Sequence, residues 1–300
     1  MIYFEHDEIA VLDNIRVLPE VQEAIRGLAS NDVVFPEGAP ASAQELIART
    51  GEAEGVLINT GTKIDNNYLE ACPSVKYVGL CGASTANVDL EALKARGIAF
   101  TNVTDYGDEP TAEYIFLQLE SLARGVGKYQ WSGQPHELMG KAIGIIGLGE
   151  LGKAIANLAL AYKMDAYYFS TYRKPEWEER GLGYAELPDL LSACEIVVLS
   201  TPTNLKVLGG AEFALLKPNS ILVQASIGTP FDREAFLKWI ASEDNYAIFD
   251  QGVGEESFRI YKILPRVILN ATSSGNTYQT RQRLGAKVIE NLKTFVATLT

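Results

Sequence analysis

Residues 142–164 read AIGIIGLGELGKAIANLALAYKM, an apolar β-type run that passes through three glycines into a helix-forming segment with no spacer. A strand apolar on both faces must be covered on both sides, and a helix following a tight turn covers one of them. Such units assemble into parallel sheets with helical crossovers, which constrains the chain to an α/β fold. Gly147, Gly149 and Gly152 also stand in G-x-G-x-x-G register. That spacing meets three physical needs: a tight turn, close approach of backbone to a pyrophosphate, and close helix–strand packing. The helix start then offers unpaired N–H groups and its positive dipole end to phosphate oxygens. Gly147, Leu148, Gly149, Glu150, Leu151 and Gly152 are therefore the expected dinucleotide-binding loop.

The same alternation runs from one end of the chain to the other. Before this unit, the expected strands are DVVF (32–35), GVLINT (55–60), VKYVGL (75–80) and GIAFTNV (97–103), with helical patterns VQEAIRGLA and DLEALKARG between them. After it come DAYYFS (165–170), EIVVLS (195–200), SILVQA (220–225), YAIFD (246–250) and RVILN (266–270). Both halves thus predict parallel sheets. At 300 residues the chain is long enough for two domains. TNVTDYGDEPTAEY (101–114) and ATSSGNTYQ (271–279) are the turn-rich, polar stretches where it would cross between them. The final helix, from about residue 276, would pack back on the first domain.

The strand after the glycine loop ordinarily ends in an acid that holds the adenine ribose hydroxyls. Here Ser170 stands there, followed by Thr171, Tyr172, Arg173 and Lys174. A carboxylate would repel a 2′-phosphate, whereas a serine with nearby Arg and Lys would accept one. NADP is thus favoured over NAD, with a solvated loop at Arg173 and Lys174 as the other reading. A net charge of −12 and the absence of a basic run argue against nucleic-acid and anionic-membrane partners. The expected partner is a small-molecule substrate or nucleotide. MIYFEHDEIAVLD has acids where a signal peptide needs a basic head, and no stretch approaches the ~18 apolar residues of a membrane span. Cys72, Cys81 and Cys194 form no CxxC and read as buried structural thiols. A cytoplasmic protein without a metal site is the expectation.

Five blocks carry a resemblance to a known family: VKYVGLCGASTANVDLEALKARGIAFTNV, the TAEY helix start, MGKAIGIIGLGELGKAIA, LKPNSILVQASIGTPFDREAF and RVILNATSSGNT. Together they resemble the D-isomer-specific 2-hydroxyacid dehydrogenases over nearly the whole chain. The resemblance implies a Rossmann dinucleotide-binding domain, residues 105–275, inserted into a flavodoxin-like substrate domain, residues 1–104 plus 276–300. It also implies a homodimer through the Rossmann domain and the segment around Lys128 to Gly140, where Trp131 is a candidate contact. Asp250 matches the acid that holds the nicotinamide carboxamide, and Pro202 the loop lining the cofactor. Ala225 and Ser226, at the next strand end, complete the expected cofactor side.

The family's catalytic pattern is altered. Its signature Asn-x-x-Arg-Gly-x-x-Val-Asp reads Gln224 to Asp232 here, with Ile227 in the place of the substrate-binding arginine. Thr272 replaces the general acid–base histidine, and the chain's two histidines, His6 and His136, lie elsewhere in the sequence. In DQGVGEES, Glu255 is the candidate for the glutamate that partners that histidine, with Glu256, or neither, as the other readings. Asn59, Thr60, Ala83 and Ser84 are the expected lining of the substrate cleft, which is polar but nearly uncharged. Isoleucine donates no hydrogen bond and threonine does not titrate near neutrality, so ordinary D-2-hydroxyacid dehydrogenase activity is not expected. Two readings follow. One is an NAD(P)-dependent oxidoreductase for an atypical polar carbonyl or hydroxy substrate, with Ser226, Thr272, Tyr106 or Tyr278 as a proton donor. The other is a nucleotide-binding pseudoenzyme that senses or scaffolds.

Overall fold

In the computed structural model, residues 8–202, 205–242, 244–250, 255–269 and 273–298 are described. The chain divides into two compact units, Met1–Tyr106 with Thr277–Thr300, and Gly107–Asn276. It leaves the first unit once and returns once.

The first unit runs β1 (Ile9–Val11), α1 (Pro19–Arg26), α2 (Ala43–Thr50), β2 (Gly55–Ile58), α3 (Asn66–Ala71), β3 (Tyr77–Leu80), α4 (Leu90–Ala95) and β4 (Ala99–Asn102). The second contains α5 (Asp108–Arg124), β5 (Ala142–Ile146), α6 (Glu150–Ala161), β6 (Asp165–Phe169), α7 (Pro175–Glu178), β7 (Gly183–Tyr184), α8 (Leu187–Ala193), β8 (Ile196–Leu199), α9 (Gly210–Phe213), β9 (Ile221–Gln224), α10 (Arg233–Ala241), β10 (Tyr246–Phe249), α11 (Glu255–Tyr261) and β11 (Val267–Leu269). The final helix, α12 (Tyr278–Thr298), belongs to the first unit.

In the first unit four parallel strands lie in the order β1-β2-β3-β4. Every residue of β2 and β3 is buried, as a sheet covered on both faces requires. On one face α12 contributes Leu284, Val288, Leu292, Phe295 and Val296. The Phe295 ring stacks on Tyr77 of β3, centroids 4.4 Å apart. The other face is closed by Leu46, Tyr68, Leu69 and Leu93 from α2, α3 and α4. Asp89 caps α4 by accepting the Ala92 N–H at 2.9 Å.

DVVF is not a strand, and β1 lies instead in the segment before it. Val33 is buried and Val34 is 72% exposed, so the stretch alternates as an extended segment would. Its ladder position is occupied, however. The Asn31 side chain accepts the Ile9 N–H at 2.9 Å and donates to the Ile9 carbonyl at 3.0 Å. One amide thus satisfies both backbone groups of Ile9 on the outer edge of β1, and the Val33 carbonyl accepts from Arg26 Nε at 3.3 Å. Backbone groups satisfied by side chains leave no ladder to form.

The second unit has seven parallel strands in the order β11-β10-β9-β8-β5-β6-β7. Read outward from β5, this is the doubly wound arrangement in which strand order reverses between β5 and β8. Five of the six expected strands after residue 140 keep four or more residues; β11 keeps three, and β7 is an additional short edge strand. One face packs against α5 and α6 through Ile115, Phe116, Leu119, Ile155 and Ala159. The other packs through Leu190, Leu191, Phe213, Phe236 and Tyr261. Trp131 belongs to the interior of its own unit: it is 3% exposed and donates from Nε1 to the Asn219 carbonyl at 2.7 Å. Among the described residues no helix is long and apolar enough to cross a membrane.

Candidate dinucleotide site

The carboxyl ends of the strands on either side of the reversal carry the site. Gly147 leaves β5 with φ +96°, and a Cβ there would lie 2.5 Å from the Ser200 carbonyl oxygen. Its N–H donates to the Phe169 carbonyl at 2.8 Å, and its own carbonyl accepts Ser200 Oγ at 2.7 Å. A Cβ on Gly152 would lie 2.1 Å from that same Gly147 oxygen. The helix start can approach the strand end this closely because position 152 carries no side chain. Gly149 differs: a Cβ there would meet nothing within 4 Å. It is the N-cap of α6 and provides no side-chain cap, so it offers the first-turn N–H groups no side-chain acceptor. Leu148 is buried and Leu151 packs on the core, while Glu150 is exposed and pairs with Lys153 at 2.6 Å. The charge of Glu150 at the positive helix end is thereby balanced within the turn.

The neighbouring strand ends are tied together by hydroxyls. Ser226, after β9, is 5% exposed; its Oγ accepts the Thr201 N–H at 2.8 Å and lies 3.2 Å from the Leu199 carbonyl, to which it donates. Ser226 thus donates to the last residue of β8 and accepts from the loop that follows it. Ala225 donates its N–H to Leu199 at 2.9 Å, and Pro202 is exposed. Asp250, after β10, accepts the Ser274 N–H through Oδ1 at 2.9 Å, and Ser274 Oγ bonds Thr111 Oγ1 at 3.1 Å. Ile227 projects at the end of β9 with 49% of its surface exposed. Thr272 and His6 lie outside the described residues. His136 packs edge-on to Trp131, ring centroids 6.2 Å apart. Glu255 opens α11, and the neighbouring Glu256 pairs with Arg233 at 2.9 Å.

Beyond β6, Ser170 Oγ donates to the Tyr172 carbonyl, closing the turn on itself. Thr171 is exposed. Arg173 is gripped by Glu178, Nε to Oε1 at 3.1 Å with a second bond from Nη2 to Oε2. The guanidinium lies 4.8 Å from the Tyr184 ring centroid. Hydrogen bonding to Arg173 holds the Glu178 carboxyl below the usual carboxylate range. Nothing in the local sequence marked Glu178, because an acid in the first turn of a short helix is ordinary.

In the first unit, the loop after β2 is organised by Asn59. Its Nδ2 donates to the Asn14 carbonyl at 2.7 Å and its Oδ1 accepts the Thr60 N–H at 2.8 Å. After β3, the Ala83 carbonyl accepts Asn102 Nδ2 at 3.0 Å, while Ala83 is exposed and Ser84 half-buried. Among the described residues, no three His, Cys, Asp or Glu side chains gather as a metal-holding group.

Comparison with known proteins agrees with this architecture. Glyoxylate reductase of Thermococcus litoralis is 29% identical over 278 residues, 83% of this chain and 82% of that protein. Among solved structures, an acyclic imino acid reductase in complex with NADPH and D-Arg superposes with TM-score 0.82 at 21% identity, covering 97% of both chains. An NAD+-bound 3-phosphoglycerate dehydrogenase of Entamoeba histolytica superposes with TM-score 0.81 at 20% identity, covering 98% of this chain and 97% of that one. The family profile described as D-isomer specific 2-hydroxyacid dehydrogenase, catalytic domain, matches residues 9–300. The chain therefore belongs to the D-isomer specific 2-hydroxyacid dehydrogenase family.

Proposed function

We propose that this protein is an NAD(P)-dependent oxidoreductase that acts on an atypical polar carbonyl or hydroxy substrate. The observation that carries the reading is the glycine loop: Gly147 and Gly152 are sterically obligatory, whereas Gly149 borders open space at an uncapped helix start. Steric need explains two of the glycines, and a pyrophosphate at the α6 N-terminus explains the third. Gly147 to Gly152 would hold the pyrophosphate and Asp250 the carboxamide; Ser170, Thr171, Arg173 and Lys174 would face the adenosine ribose, with Pro202, Ala225 and Ser226 lining the nicotinamide end. A bound nicotinamide dinucleotide supplies the hydride. The absence of a carboxylate at Ser170 favours NADP over NAD. The unit of residues 1–104 plus 276–300 would bind substrate through Asn59, Thr60 and the backbone of Ala83 and Ser84. A cytoplasmic homodimer through the Rossmann unit completes the reading.

Ile227 departs from the family's chemistry because a 2-oxo acid would find no cation there. Loss of a charged hydrogen bond to a carboxylate costs about 1.5–3 kcal/mol. The second reading, a nucleotide-binding pseudoenzyme, draws on Ser226: its hydroxyl is bound to backbone on both sides and is not a free proton donor. Calorimetry with NADPH and NADH, followed by a carbonyl screen including glyoxylate and neutral polyol-derived carbonyls, separates the two. Turnover of a neutral carbonyl supports the oxidoreductase. Binding without turnover supports the pseudoenzyme, and no binding of either nucleotide removes both.

A further inference from the structure

The segment 170–180 carries three cations, Arg173, Lys174 and Arg180. Two are already engaged. Arg180 lies 4.0 Å from the Trp177 ring centroid and donates to Asn157 Oδ1 at 2.6 Å. Arg173 presents Nε and one Nη2 proton, the bidentate edge of its fork, to Glu178. That edge is the one that matches a carboxylate or a phosphate. Glu178 is itself held from below, since Tyr168 Oη donates to its Oε1 at 2.9 Å. Tyr168 is fully buried, and its oxygen accepts the Lys174 N–H at 2.6 Å. The buried phenol therefore fixes both the acid and the loop that bears Arg173. Counting Glu176, Glu178 and Glu179 against the three cations, the segment carries no net charge. A group with a phosphate's charge would meet a carboxylate already seated in the fork, not a free guanidinium.

We infer that Glu178 is a specificity-determining residue that occupies Arg173 and keeps the preference for a 2′-phosphorylated dinucleotide small. The inference rests on the dinucleotide reading above and deepens it. Glu178→Gln is the informative change, because the amide oxygen retains the Tyr168 hydrogen bond while the charge and one acceptor of the fork are lost. Titration of the intact protein with NADPH and NADH is expected to show NADPH binding about 5-fold tighter in E178Q, with NADH changed less than about 2-fold. The gain shrinks between low and high salt, as screening requires. Glu176→Gln removes the same charge from the same helix without touching Arg173, and its effect is expected to stay below about 2-fold. In the double variant R173Q/E178Q the gain in NADPH affinity disappears. An NADPH-to-NADH affinity ratio unchanged or lowered in E178Q, or a gain that survives in the double variant, overturns the inference while leaving nucleotide binding standing. Failure of the unaltered protein to bind either nucleotide overturns it together with the reading on which it rests.

Discussion

Ser226 and Ile227 are adjacent, yet their surroundings assign them opposite fates. The Ser226 hydroxyl bridges the ends of β8 and β9, accepting from Thr201 and donating to Leu199. Ser226→Ala would leave the half-buried Thr201 N–H without its acceptor and is expected to lower unfolding free energy by about 1 kcal/mol in denaturant titrations. A loss of turnover with unchanged stability would instead return Ser226 to the role of proton donor. Ile227 is half exposed and belongs to neither core of its unit. Ile227→Arg is expected to shift stability by less than about 0.5 kcal/mol. It should also tighten glyoxylate binding to the dinucleotide-loaded protein about 10-fold or more, the equivalent of one charged hydrogen bond. Equal glyoxylate affinity in both proteins would mean that position 227 does not face substrate.

At the scale of the element, the proposed nucleotide loop from β5 into α6 predicts different outcomes for two of its glycines. Gly152→Ala places a methyl 2.1 Å from the Gly147 oxygen, so helix and strand must move apart. Thermal unfolding should register that change directly, with a loss of about 2 kcal/mol or more. Gly149→Ala meets no protein atom, and a residue in its extended conformation is unstrained. Its melting temperature should match the parent's while NADPH affinity falls at least about 10-fold, because the methyl fills the space in which backbone approaches pyrophosphate. Equal losses of stability in the two variants would contradict this division. The glycine register was legible because its three requirements are met within a single turn. The strand reading of DVVF failed for a related reason: its alternation is real, but the partner it would pair with is already served by Asn31.

At the scale of the whole molecule, the apolar runs legible in the sequence become two doubly covered sheets, and burial sets the chemistry of the thiols. Cys72, Cys81 and Cys194 are all free and buried. Burial pushes the Cys194 thiol up to about 12 and the Tyr77 phenol up to about 12, and raises Cys81 as well. The folded pKa values exceed the unfolded ones, about 8.5 for cysteine and 10 for tyrosine. Their stabilisation is therefore complete below about pH 8.5 and is lost as pH rises towards 12. Denaturation midpoints are expected to hold constant from pH 7 to 8 and to fall steadily above pH 9. A disulfide-exchange reagent at pH 8 should label none of the three thiols in the folded protein and all of them in guanidinium. Rapid labelling of the folded chain would place a thiol at the surface.

The sequence by itself determined the α/β class, the family resemblance and the glycine register of residues 147–152, and it puts an isoleucine at position 227. These depend on residue identity and on spacing within a few positions. Only the tertiary structure decided which polar groups remain available. Ser226 and Thr201 meet across 25 residues, Asp250 and Ser274 across 24, and Arg173 reaches Glu178 over a buried tyrosine. A hydrogen bond goes to whichever partner the packed chain brings within about 3 Å, and a group engaged there is no longer free for a ligand. Local sequence names such groups, and packing determines which of them are still open.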